Sequence, residues 1–136
     1  MSDCFDNNIQ ALNKIHSHLV LSLQSSKIPT YPIRPAVHNP QQMEIQYHGV
    51  WTCWSYPEKM ILPEGKGHVL LGAGCGSYCL KLLQSTNTKI ILWDEDLGRI
   101  KRFLEICDIS TFIQKGRIKI IFEAEILSLK KLIPMF

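Results

Sequence analysis

The N-terminal part of the chain changes from a helical pattern to an extended one. Between residues 5 and 24, apolar side chains recur at spacings of three and four, which places them on one face of a helix. Asp6 or Asn7 can cap the start of this helix. Residues 27 to 40 contain four prolines, and because proline fixes φ and lacks an amide hydrogen, neither a helix nor a central strand fits there. The pattern predicts one amphipathic helix followed by an extended connector.

Two short segments with alternating apolar and polar residues follow the connector. Residues 43 to 48 and 50 to 55 alternate in this way, and His48-Gly49 between them suits a tight turn. We therefore predict a β-hairpin. Its aromatic residues suggest a stacking platform for a ligand, although such clusters more often pack a small sheet onto a core. These residues are Tyr47, Trp51, Trp54 and Tyr56.

From residue 65 onward, short apolar runs alternate with helical patterns. Three runs are almost wholly apolar, as expected of strands covered on both faces, namely HVLLGAG, KIILWD and RIKIIF. Between and after them, SYCLKLLQS, LGRIKRFLEIC, a short turn at 108 to 116 and EILSLKKLI have helical spacing. Strands that alternate with helices predict parallel βαβ units with right-handed crossovers. The second half is therefore predicted to be α/β and Rossmann-like.

The predicted order of the strands has a consequence for assembly. Three consecutive strands of this kind make half of a doubly wound sheet, and the strand that begins near Val69 then lies at its edge. An apolar parallel edge is rarely left uncovered. We expect either the hairpin at 43 to 55 or a second copy of the chain to cover it, and we favour the homo-oligomer.

Composition and charge limit the classes of protein to be considered. The 136 residues are 46% hydrophobic and 20% charged, so we expect one compact domain in which residues 1–64 and 65–136 pack together. The net charge of +3 is scattered along the chain, and no apolar run reaches the ~18 residues of a membrane span. Neither a nucleic-acid partner nor a membrane is therefore expected. Because the N-terminus has acids where a signal peptide has a basic start, we expect a soluble, cytoplasmic protein.

The most informative stretch lies where the first of these strands turns into a helix. Glycines at Gly72, Gly74 and Gly76 let the backbone turn sharply and approach a ligand closely. The amides at the helix start, from Ser77 onward, can hold a phosphate or another anion. Asp94 ends the next strand, where a carboxylate can accept both ribose hydroxyls of a nucleoside. The alternative is a turn that permits tight strand–helix packing, with Asp94 capping the next helix.

The pattern leaves open which cofactor such a loop would bind. The form G-x-G-x-G is nearer to S-adenosylmethionine-dependent methyltransferases than to the dinucleotide fingerprint G-x-G-x-x-G, whose third glycine is Ser77 here. Methyltransferases usually place an acid two residues before the first glycine, and that position is Leu70. A nucleotide, a nucleotide-sugar and S-adenosylmethionine therefore stay open as ligands.

The remaining reactive residues form no recognisable catalytic or metal-binding pattern. The chain has no Ser-His-Asp order, no H-E-x-x-H and no P-loop lysine motif. The cysteines are odd in number and irregularly spaced, so we expect reduced thiols, several of them in the core, and no zinc site. They are Cys4, Cys53, Cys75, Cys79 and Cys107.

Several motifs follow one another in the order found in a known protein family. A G-x-G-x-G-Y-type turn at Gly72 to Tyr78 precedes a leucine-rich helix and a strand that ends in Asp94. An Asp-Ile-Ser turn at 108 to 110 and a short basic strand come next, and the N-terminal helix from Asn8 to Leu23 begins with N-x-x-A-L. In these features the chain resembles the N-terminal Rossmann-like region of motility-associated-factor glycosyltransferases. It differs in having Asp94-Glu95 where the family usually has Glu-Pro.

The resemblance implies a binding role and not a catalytic one. The family is associated with the transfer of nonulosonic sugars from CMP-sugars to bacterial flagellin, but its catalytic region lies further along the chain. The resemblance therefore implies a non-catalytic N-terminal domain or a shortened relative, with a catalytic domain or the flagellin acceptor as partner. Two alternatives stay open, a degenerate S-adenosylmethionine-dependent methyltransferase and an α/β oligomerisation module without a ligand. Leu70 argues against the first, and the glycine loop with Asp94 argues against the second.

Overall fold

Two β-sheets and five helices form the part of the chain that the computed structural model describes, which is residues 2–25, 27–40, 42–55, 58–61 and 67–122. The architecture is mixed α/β, as the sequence predicts. The helices within these ranges are α1 (Ser2–Asn13), α2 (Ser17–Leu23), α3 (Ser77–Ser85), α4 (Leu97–Ile106) and α5 (Ser110–Gln114). The strands are β1 (Ile33–Pro35), β2 (Met43–Tyr47), β3 (Val50–Cys53), β4 (Glu58–Ile61), β5 (Gly67–Leu71), β6 (Lys89–Asp94) and β7 (Ile118–Phe122).

The N-terminal helical region is divided into α1 and α2, so the prediction of one continuous helix over residues 5 to 24 is wrong. The backbone amides of Ile15 and His16 both donate to the carbonyl of Leu12, which closes the end of α1. Ile15, whose spacing from Leu12 and Leu19 puts it on the predicted apolar face, is 63% exposed as a result. Because of the break, α1 packs on α4 and α5 while α2 packs on α4, so each helix buries its own apolar face.

The first sheet is antiparallel and has β2 in its centre, between β1 and β3. The predicted hairpin is confirmed, since β2 pairs with β3 across the turn. His48 and Gly49 have φ values of 52° and 79°, as a two-residue type I′ turn requires. β1 comes from the segment predicted to be only a connector. It is an edge strand, a position at which Pro35 is tolerated.

The aromatic residues of the hairpin pack against the rest of the chain. Trp54 belongs to the main core, with 6% of its surface exposed. The ring of Tyr47 meets the ring of Tyr31 edge-on, with 5.0 Å between their centroids. Trp51 is half-buried. These three residues are therefore better explained by packing than by an exposed platform for stacking a ligand. Tyr56, the fourth aromatic residue of the predicted cluster, lies outside the described residues.

The second sheet has the order β4-β5-β6-β7, in which β5, β6 and β7 are parallel. α3 connects β5 to β6, and α4 and α5 connect β6 to β7, so strands and helices alternate as predicted. The strands bury apolar side chains on both faces. Leu70 and Leu92 join the main core, and Val69 and Ile91 form a second cluster on the opposite face. The helix predicted at 125 to 133 lies outside the described residues.

The edge of β5 is covered by β4, a strand that the sequence pattern does not indicate. β4 is antiparallel to β5, with Glu58 opposite Leu71. We predicted that either the hairpin or a second copy of the chain covers this edge, and both alternatives are wrong. Self-association through another surface stays a prediction. With four residues, two of them charged, β4 is too short to show strand periodicity. In a doubly wound sheet this place belongs to a fourth, parallel strand.

A buried asparagine ties the N-terminal helix to the second half of the chain. Asn8 in α1 is fully buried, and its Nδ2 donates to the carbonyls of Leu104 at 2.9 Å and Cys107 at 2.7 Å. Its Oδ1 accepts from the amide of Ile109 at 2.9 Å. Since α4 ends and α5 begins at these residues, one side chain satisfies the backbone at the corner between the two helices. One contiguous core contains residues from both halves.

We expect Asn8→Ala to lower the free energy of unfolding by about 2–4 kcal/mol, because three buried backbone groups lose their partner at once. Urea denaturation followed by circular dichroism measures the change. Asn7→Ala is the matched control, since Asn7 is exposed and makes one hydrogen bond, to Asp108 at 2.9 Å. It should cost less than about 1 kcal/mol. Similar losses in the two variants would contradict the role assigned to Asn8.

Candidate functional site

The glycine loop connects the carboxyl end of β5 to the start of α3. Gly72, Gly74 and Gly76 have φ values of 102°, 57° and 88°, in a region that residues with a Cβ rarely adopt. A Cβ on Gly76 would lie 2.6 Å from the ring of Phe103, whereas a Cβ on Gly72 would meet nothing within 4 Å. Gly76 therefore permits the close packing of α3 on α4, and Gly72 leaves open space beside the end of β5.

A buried carboxylate holds the loop against the start of α4. Asp94, at the end of β6, is 1% exposed. Its Oδ2 accepts a hydrogen bond from the amide of Ala73 in the loop at 2.9 Å. Its Oδ1 accepts from the amide of Asp96 at 2.9 Å and from the Arg99 guanidinium at 2.8 Å. The structure thus gives Asp94 a structural role, and the ribose contact expected of it stays a prediction.

A second acid, Asp96, fixes α4 and the connector. Its Oδ1 accepts from the amides of the second and third residues of α4 at 2.8 and 3.2 Å. Asp96 is thus the N-cap of this helix, and the alternative expectation that Asp94 caps it is wrong. The Oδ2 of Asp96 accepts from the hydroxyl of Tyr31 at 2.8 Å. Burial and this hydrogen bond raise the pKa of Tyr31, and a hydrogen bond to Asp96 raises the pKa of Tyr47.

A cleft of about 380 Å³ lies over the loop, where the carboxyl ends of β5 and β6 meet the start of β4. The carboxyl ends of parallel strands are the usual ligand-binding edge of an α/β sheet. The structure brings Gly72, Gly74 and Asp94 to this cleft. Gly76 is buried in the packing of α3 on α4, and Ser77 is exposed at the start of α3, so neither lines it.

Seven further residues line the same cleft, and four of them have a ring or a charge that bears on its chemistry, namely Trp54, Glu58, Trp93 and Arg99. Trp54 was interpreted as part of an aromatic cluster, and Glu58 reaches the cleft only through the unexpected strand β4. Trp93 precedes Asp94 at the end of its strand, and that position next to the loop is a signal that could have found it. Arg99 could have been found as the cation one turn into α4, within reach of the same carboxylate.

A larger cleft of about 660 Å³ lies between the connector and the start of α4. Lys27 and Tyr31 from the connector side line it, as do Glu95 and Asp96. None of the predicted site residues borders this second cleft. The cleft over the glycine loop is therefore the candidate site.

The cysteines are free thiols, and three of them are buried. Burial, together with the nearby thiol of Cys107, raises the pKa of Cys79 to about 12. Burial also raises the pKa of Cys107 to about 11. Cys53, by contrast, is exposed and lines the cleft. In the part of the chain that the structure describes, no group of three or more histidine, cysteine or acidic side chains is placed to hold a metal ion.

Comparison with known proteins gives no relative for this site, since no family model, no curated protein and no solved structure matches the chain. Across the described ranges, no helix has the length and apolar character needed to cross a membrane. The function of the cleft is therefore inferred from its geometry and chemistry.

We expect Gly76→Ala to destabilise the protein more than Gly116→Ala. Both glycines have positive φ, 88° and 72°, but only at Gly76 does an added Cβ meet a side chain, 2.6 Å from Phe103. Backbone strain alone costs about 1–2 kcal/mol, and overpacking adds about 1–3 kcal/mol at Gly76. Urea denaturation of both variants measures the difference. Equal losses of unfolding free energy would show that the Phe103 ring moves aside and that α3 does not need this close contact with α4.

We expect iodoacetamide at pH 8 to modify Cys53 quickly and the buried Cys79 and Cys107 only after denaturation. The thiolate is the reactive form, and the raised pKa values of about 12 and 11 keep the buried thiols protonated at this pH. Peptide mass spectrometry of native and urea-treated protein identifies the modified residues. Rapid native modification of Cys79 would contradict its burial in the main core.

Proposed function

We propose that this chain is a Rossmann-like, non-catalytic binding module, related to the N-terminal region of motility-associated-factor glycosyltransferases, whose cleft binds a nucleotide or nucleotide-sugar. The observation that carries the proposal is the open space at Gly72, on a loop at the carboxyl end of a parallel strand. Ligands of α/β sheets bind at this edge, because the loops that leave the strands there are free to vary.

The loop is held in place before any ligand arrives. The Asp94 carboxylate bonds to the Ala73 amide, and the Gly72 amide donates to the carbonyl of Trp93 at 2.7 Å. Both contacts join the loop to β6, which lies inside the core. A preformed loop loses little conformational entropy on binding, and this favours affinity for a small ligand.

The size of the cleft favours a mononucleotide. Its volume of about 380 Å³ is at the lower end of the ~300–1,000 Å³ that is typical of small-molecule sites. A full dinucleotide such as NAD needs a longer crevice, which doubly wound sheets form between two parallel halves. Here the antiparallel β4 occupies the place of the second half. The same feature disfavours a methyltransferase that continues its sheet from this edge.

The chemistry of the lining supports binding without catalysis. The described residues around the cleft include no histidine, and the buried carboxylate of Asp94 is engaged by Arg99 and two amides. Glu58 is the one other carboxylate of this lining, and it is exposed at the rim. A single exposed carboxylate, without a second group to act as general acid or to stabilise developing charge, does not make a catalytic arrangement. The proposed role is therefore to present the bound nucleotide to a catalytic domain or to a flagellin acceptor in the cytoplasm. Alternatively, the nucleotide changes the surface by which the module binds such a partner.

We expect the purified protein to bind CMP or CDP in calorimetric titrations more tightly than NAD or S-adenosylmethionine. Gly72→Ala should weaken this binding about tenfold, because a methyl group then occupies the open space of the cleft. Gly116→Ala is the matched control, since its backbone carries a similar φ with open space around it, away from the cleft. Absence of binding for every nucleotide, or equal losses in both variants, would refute the proposal.

A further inference from the structure

The two edges of the first sheet differ in how they are protected against pairing with a further strand. At the β1 edge lie Arg34 and Pro35, a charged residue and one without an amide hydrogen, which are common devices against such pairing. The edge strand β3 contains neither a charged residue nor a proline. Its residues Val50, Thr52 and Cys53 are exposed, and no strand of the described residues pairs with its outer side. β3 is therefore open to pairing.

The hydrogen bonds of the hairpin determine which backbone groups of β3 face outward. The amide of Trp54 donates to the carbonyl of Met43 in β2 at 2.8 Å, and the residues that bond to the neighbouring strand alternate along an antiparallel pair. The backbone of Thr52 therefore faces β2, whereas the backbone groups of Trp51 and Cys53 are directed away from it. The N–H and C=O groups of these two residues have no backbone partner within the described ranges.

We propose that β3 pairs antiparallel with β3 of a second copy of this chain, across a two-fold axis that passes between the two Thr52 residues. In this register Trp51 lies opposite Cys53 of the other copy, and the outward groups of both residues form four intermolecular hydrogen bonds. An axis at Trp51 or at Cys53 would give only two such bonds within the strands. The two three-stranded sheets become one continuous sheet. Because both copies use the same surface, the dimer is closed and does not grow into a fibre.

The side chains around this edge favour a second copy of the chain over a charged partner. Arg34 pairs with Glu44 at 2.9 Å, and its guanidinium lies 3.9 Å from the centre of the Trp51 ring, so these charges cancel beside β3. Two copies therefore meet without like-charge repulsion, and an acidic or basic segment finds no net charge to attract it. Two threonines in opposite positions form a favourable cross-strand pair. Val50, which is 60% exposed, loses apolar surface to the joined sheet.

The dimer should be weak, because the strand that forms it is short. Four residues of β3 bury less area than the ~1,200 Å² at the lower end of standard interfaces, so we expect a Kd of about 10–100 µM. The pairing does not depend on nucleotide binding. Cys53 also lines the cleft over the glycine loop, so the proposed interface borders the candidate site.

Disulfide trapping tests the position of the two-fold axis. In Cys53→Ser protein, Thr52→Cys places two thiols directly opposite each other, with about 4.5 Å between their Cα atoms, which is within the range of a disulfide. Val50→Cys in the same background is the matched control. Its residue is exposed on the same strand, but the two copies of it would lie more than about 13 Å apart. Under mild oxidation, we expect Thr52→Cys to form the covalent dimer at least about tenfold faster than Val50→Cys.

A proline at the outward-facing position tests the hydrogen bonds without a cross-link. Cys53→Pro removes two of the four intermolecular donors and leaves the bonds between β2 and β3 in place, because the amide of residue 53 faces away from β2. Cys53→Ser is the control, since it keeps the amide. Sedimentation velocity at protein concentrations from about 5 to 300 µM should show the unsubstituted protein and Cys53→Ser passing from monomer to dimer, with Cys53→Pro weakened at least about tenfold. Circular dichroism verifies that the variants are folded.

Three outcomes would overturn the proposal. A protein that stays monomeric at the highest concentration does not pair through β3. A dimer that Cys53→Pro leaves unchanged associates through another surface. Equal rates of cross-linking for Thr52→Cys and Val50→Cys would show random collision in place of the two-fold register, and this measurement stays decisive even if the proline variant fails to fold.

Discussion

The structure around the candidate site depends on one buried carboxylate. Asp94 accepts hydrogen bonds from the glycine loop, from the backbone at the start of α4 and from Arg99. A carboxylate removed from water is tolerated only when its oxygens are satisfied and its charge is paired. Satisfying Asp94 therefore fixes three elements relative to one another, namely the end of β6, the loop after β5 and the first turn of α4. The cleft is the space left between them.

The N-terminal half of the chain completes this arrangement. Asn8 satisfies the backbone where α4 turns into α5, and Trp54 from the hairpin segment joins the main core and one wall of the cleft. β4 covers the exposed edge of β5 and contributes Glu58 to the rim. The parallel strands by themselves would have a bare edge and an open loop. The first half therefore supplies both stability and the outer wall of the site.

The local pattern of the sequence determined the elements whose signal is contained within a few residues. The His48-Gly49 turn, the apolar runs of β5 to β7 and the glycine loop all depend on backbone preferences and side-chain periodicity, which neighbouring residues specify. The separate packing of α1 and α2 and the pairing of β4 depend on contacts with distant residues, which no local pattern contains.

The candidate site divides in the same way, because the chemistry of a side chain is local while its partners are not. Sequence indicated that Gly72 and Asp94 would meet at the carboxyl edge of the sheet, and they do. Only the tertiary structure decided that Asp94 is turned inward to hold the loop and that Gly76 serves packing. It also decided that Trp54 and Trp93, which are distant in the sequence, line the same cleft. These assignments depend on which hydrogen-bond partners reach each group, and those partners lie up to tens of residues away along the chain.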